Sequence, residues 1–123
     1  MADIMTNYVR WTSAVTDLIA LTQKGGLKWR HGDDPGTFIA HLDDKELHFI
    51  NEGVRRRSGT PYVPWRDPTL PTSNSLEIFA NGRLESRCPP VLALDGLYIA
   101  VEASANDKAP ELFDSINRAL KAQ

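Results

Sequence analysis

Ile4, Tyr8, Trp11, Val15 and Leu18 recur at alternating steps of four and three, with Ala14, Ile19 and Leu21 beside them. That period draws one apolar stripe down a helix and predicts α-helix from Ile4 to Thr22. Asp3 or Thr6 can supply the N-cap oxygen, and Gly25-Gly26 the positive φ on which helices end. The period then changes to two. Leu27 and Trp29 alternate with Lys28 and Arg30 up to His31, as in a half-buried strand, and Gly32-Asp33-Asp34-Pro35-Gly36 is a turn cluster.

Thr37 to Leu42 and Glu46 to Ile50 read as two further strands joined through Asp43-Asp44. A loop of two or four residues puts Phe38, Ala40, Leu42, Leu47 and Phe49 on one face, whereas a three-residue loop splits them, so an even loop is expected. Leu76 to Ala80 and Arg83 to Arg87 flank Asn81-Gly82, a strong hairpin signal. Cys88-Pro89-Pro90 interrupts the pattern. Val91 to Leu94 and Leu97 to Ala103 then flank Asp95-Gly96, and a two-residue turn there would align Leu92, Leu94, Leu97, Ile99 and Val101 on one face of a third hairpin. A closing helix is predicted over Lys108 to Ala122, capped by Asp107, with Leu112, Phe113, Ile116 and Leu120 as a buried stripe and Arg118 and Lys121 near its end, where cations suit the dipole.

Helix, strands, helix in that order predicts an α+β protein: an antiparallel sheet of about five to seven strands with N- and C-terminal helices packed on one face. At 123 residues the chain has the length of a single domain, expected to run over residues 1–123. Gly53 to Ser73 stands apart. It holds four of the eight prolines and three consecutive arginines, with no apolar period, and loops of that length inside a domain are commonly functional or disordered.

The run Thr22-Gln23-Lys24-Gly25-Gly26-Leu27-Lys28-Trp29, with an amphipathic helix before it, resembles a Thr-x-x-Gly-x-Leu-x-Trp pattern of small uncharacterised bacterial and phage proteins, and Leu112-Phe113-x-x-Ile116 is similar to its close. The resemblance covers about a quarter of the chain. It implies the helix-to-strand junction and carries over no activity and no site residue.

Composition narrows the picture by exclusion. Hydrophobic residues at 41% with 24% charged residues are globular, and a formal net charge of −2 gives no long-range attraction to nucleic acid or anionic membrane. Cys88 is the only cysteine, so no internal disulfide or cysteine-based zinc cluster can form. With Asp3, Arg10 and Asp17 breaking any apolar leader, a cytoplasmic location without a membrane anchor is expected.

Four groupings can be weighed for chemistry. His41 and His48 fall on the same outward strand face for either even loop, with Glu46 beside them, a set that could hold a divalent metal; exposed histidines on a solvated strand are the simpler explanation, and neither metal nor cofactor is expected. Asp33-Asp34 and Asp43-Asp44 lie roughly 20 Å apart at opposite strand ends, too far for a hydrolytic carboxylate pair. Cys88 lacks a partner in its sequence neighbourhood and reads as a small buried apolar group. The central segment interleaves Arg55, Arg56, Arg57 and Arg66 with Tyr62 and Trp65, which suits a protein contact anchored by Trp65, or phosphate contact with base stacking. The expectation is a non-enzymatic module that self-associates or binds another protein through Arg55, Arg56, Arg57, Tyr62, Trp65 and Arg66. A metal site at His41, His48 and Glu46 and single-stranded nucleic-acid binding through the arginines are the alternatives.

Overall fold

The computed structural model describes residues 4–53 and 72–122. Helix α1 (Ile4–Gln23) leads into strands β1 (Trp29–His31), β2 (Thr37–Leu42), β3 (Lys45–Asn51), β4 (Asn74–Ala80) and β5 (Arg83–Arg87), followed by helices α2 (Ala93–Ala105) and α3 (Ala109–Lys121). The strands form one antiparallel sheet in sequence order, β1-β2-β3-β4-β5. The α+β class and the five-stranded antiparallel sheet are as the sequence predicts.

The turns follow their chemistry. Phe38 pairs with Phe49 and Ala40 with Leu47, so the β2–β3 loop is the two residues Asp43-Asp44, with Asp43 in the left-handed region at φ 56°. Asn81 and Gly82, at φ 54° and 77°, give the β4–β5 hairpin the two left-handed residues of a type I′ turn. At the end of α1, Gly25 takes φ 79°, its N–H bonds Thr22 O, and the Gly26 N–H bonds Leu21 O, the reciprocal pair of a Schellman stop. The Trp29 indole N–H donates to Thr22 Oγ1 at 3.0 Å, and Thr22 donates to Leu18 O. Thus Thr22, Gly25, Leu27 and Trp29 each have work at one junction: a hydroxyl bridge, a helix stop and two buried side chains.

One face of the sheet contributes Trp29, Phe38, Ala40, Leu47, Phe49 and Leu76 to the core. What covers it differs from the sequence reading. Residues 93–105, expected to be the arms of a hairpin about Asp95-Gly96, are the continuous helix α2. Leu94, Leu97 and Val101 are fully buried while Leu92 and Ile99 are 59% and 73% exposed, a split that a period-two face containing all five cannot produce. Gly96 is not a turn residue but a gap in the helix surface: a Cβ there would lie 3.3 Å from Cδ1 of Ile19, so its absence lets α1 approach α2. The Tyr98 ring stacks on Phe49 with centroids 6.0 Å apart and meets Phe38 edge-on. Helix α1 then packs against α2 through Val15, with Trp11, Leu18 and Ile19 around it.

The second difference is α3. Its limits match the prediction, yet Leu112, Phe113, Ile116 and Leu120, expected to be buried, are 57%, 61%, 48% and 66% exposed. Among the described residues, the extensive helix packing runs between α1 and α2 and from α2 onto β1 and β4.

Candidate functional site: an open helix face beside a basic groove

The residues first expected to bind a partner, Arg55, Arg56, Arg57, Tyr62, Trp65 and Arg66, lie outside the described residues. The described residues on either side of that segment are bonded to one another and to α2. Asn51 at the end of β3 pairs across the sheet with Asn74 at the start of β4, and its side-chain amide donates to Asn74 Oδ1 at 2.6 Å. The Asn74 amide donates in turn to Asp95 Oδ1 at 2.8 Å, Thr72 donates to the same oxygen, and the Asn74 backbone N–H bonds Thr72 Oγ1. Asn51, Thr72 and Asn74 are all buried, so this chain of satisfied polar groups ties both stems to the first turn of α2, where a carboxylate also suits the helix dipole. The sequence pattern hides this brace because Asp95-Gly96 reads as a turn, whereas Asp95 lies in the first turn of α2.

The histidine grouping is partly assembled. His41 lies opposite Glu46, and His48 Nε2 donates to Glu46 Oε1 at 2.7 Å, with the His48 ring against Phe79 at 4.4 Å. The bond from His48, aided by the charges of His41 and Arg30, holds the Glu46 carboxyl below the usual carboxylate range. Among the described residues no three His, Cys, Asp or Glu side chains come together as a metal-holding group. Burial pushes the Cys88 thiol up to about 12, which leaves it without the thiolate a nucleophile needs.

Two open surfaces stand out among the described residues. The first is the apolar face of α3. Alanine, leucine, phenylalanine and isoleucine at 109, 112, 113, 116 and 120 form one stripe, with Glu111 and Asp114 in the first half of the helix and Arg118 and Lys121 in the last turn. The second is a groove of about 620 Å³ between the end of α1, β1 and the outer side of α2. Leu27, Trp29, Ile99, Ala100 and Ala103 give it apolar walls, Lys28, Arg30 and His31 line its β1 side, and Asp107 lies at the end where α3 departs. The groove runs along β1, where the Trp29 N–H donates to Ser104 Oγ at 3.0 Å and the His31 side chain meets Asn106 Oδ1 at 2.8 Å. A side chain from α2 thus caps an outward backbone donor, so the groove suits side chains of a docked helix better than an added strand.

Comparison of the chain with protein-family models, curated proteins and solved structures finds no match to any of them. Among the described residues no helix is long and apolar enough to cross a membrane.

Proposed function

We propose that the protein is a non-enzymatic interaction module whose contact with another protein chain is made by the open apolar face of α3. The observation that carries this reading is the exposure of Leu112, Phe113, Ile116 and Leu120 together on one side of a single helix. A 13-residue helix is marginal in water on propensity alone, and helices of that length draw their stability from packing an amphipathic face. Contiguous apolar patches rimmed by charge mark docking sites on soluble proteins.

The test compares the parent with Leu112→Ser/Ile116→Ser by chemical cross-linking in cells that express the chain, followed by mass spectrometry. The parent should cross-link to one protein, or to itself, in stoichiometric yield, and the variant should lose that product while melting within about 1 °C of the parent, as expected of substitutions away from the core. Equal cross-linking by both chains would refute the assignment to α3.

A further inference from the structure

We propose that α3 is a strap that swings back onto the outer side of its own α2, covering the groove and withholding its apolar face until a partner competes for it. The inference rests on the reading of α3 as the docking helix and adds how that helix is regulated.

The connection supplies the first observation. Helix α2 ends at Ala105 and α3 begins at Ala109, so the three residues 106–108 join them, a length that suits an antiparallel pair of helices. Helices folded about such a turn meet at positions equally far from it. Ile99 lies about two turns before the connection and Ile116 about two turns after it, while Ala103 and Leu112 lie about one turn away on either side. Folding back therefore lays Leu112 and Ile116 along Ala103 and Ile99, both exposed on the groove wall.

The second observation is the placing of charge on α3. Glu111, Asp114, Arg118 and Lys121 lie on the side opposite the stripe of Leu112, Phe113, Ile116 and Leu120. A closed strap buries the stripe and leaves these charges in water, so closure avoids the cost of burying an unpaired charge.

The third is what holds α3 at its present angle. Among the described residues its side-chain bonds are local: Ser115 Oγ donates to Glu111 O, Arg118 donates to Ser115 Oγ, and Lys108 faces Glu111 at 3.9 Å. These bonds travel with α3 when it turns. The Asn106 side chain is tied to His31 at 2.8 Å, and Lys108 at the N-cap position makes no side-chain capping bond, which places the pivot at Asp107 and Lys108. Because strap and groove belong to one chain, they meet at a high effective concentration, and a partner's apparent affinity falls with the fraction of chains left open.

Disulfide trapping in the whole chain tests the closure. Ile99→Cys/Ile116→Cys, oxidised at high dilution, should form an intrachain bond at least about tenfold faster than Ile99→Cys/Arg118→Cys, whose second thiol lies on the charged side. Mass spectrometry of the unreduced monomer reads both. Equal rates, or no bond in either chain, overturn the strap. Its regulatory role is read by cross-linking in cells: Ile99→Glu should raise the yield of the partner product by at least about twofold. With purified partner, the oxidised Ile99→Cys/Ile116→Cys chain should lose the product and the same chain after reduction should regain it. A product that survives oxidation would overturn the withholding of the face. The two readings fail separately. A partner product without the trapped bond leaves the docking helix standing and removes the strap; a trapped bond with no product from the parent or from Ile99→Glu supports the strap and removes the docking reading.

Discussion

Replacing Thr22 by valine isolates the contact that joins α1 to β1. The substitution keeps the shape of a side chain that is 6% exposed and removes the acceptor of the Trp29 indole N–H, a bond of 3.0 Å in a buried setting. A buried donor left without a partner costs about 1–3 kcal/mol, while the extra methyl returns a fraction of this by burial. A net loss of about 1–2 kcal/mol is expected, which for a chain of this length lowers Tm by roughly 3–8 °C. Urea denaturation followed by far-UV circular dichroism measures it without reliance on tryptophan emission. Specificity comes from a double-mutant cycle with Trp29→Phe, which removes the donor. If the hydrogen bond is the cause, Thr22→Val should cost less than about 0.5 kcal/mol in the phenylalanine background, a coupling of about 1 kcal/mol. Equal losses in both backgrounds would show that Thr22 acts through packing, and the account of the junction given above would be wrong.

Leu97→Ala should cost about 2–5 kcal/mol and Ile99→Ala less than about 1 kcal/mol, because only the first faces the core; similar losses at both would restore a strand in place of α2. Glu46→Gln should lower stability slightly at neutral pH and leave it unchanged in acid: the folded pKa of Glu46 is depressed, so its contribution is present above the unfolded value of about 4.3 and is lost as pH falls through the folded one. Urea midpoints of both chains between neutral and acid pH should therefore converge, and a gap that widens toward acid would refute the pairing with His48. With its thiol pushed up to about 12, Cys88 should react with iodoacetamide at mildly alkaline pH at least about a hundredfold more slowly in the native chain than in urea; equal rates would contradict its burial.

Much of the fold was legible from local signals. The Schellman stop at Gly25, the two-residue loop at Asp43-Asp44, the left-handed Asn81-Gly82 turn and the alternation of Phe38, Ala40, Leu47 and Phe49 are properties of a few adjacent residues, and a few adjacent residues determined them. The sequence also contained the period that would have revealed α2. Leu94, Leu97 and Val101 are three and four apart, in a stretch supplied with Ala93, Ala100, Ala103 and Ala105, all strong helix formers. Asp95-Gly96 outweighed that pattern because the same dipeptide serves two purposes. A glycine can give a turn its positive φ or give a neighbouring helix room, and which applies depends on Ile19, 77 residues earlier in the chain.

For the same reason the sequence determined that α3 is an amphipathic helix but not what its apolar face meets. Periodicity records that Leu112, Phe113, Ile116 and Leu120 share a side; it holds no record of whether another layer of this chain has area left for them. The sheet face offers one surface, and α2 occupies it, with α1 filling the space against α2. Competition among elements for that single surface is a property of the whole chain, and only the tertiary structure decides which helix is left outside.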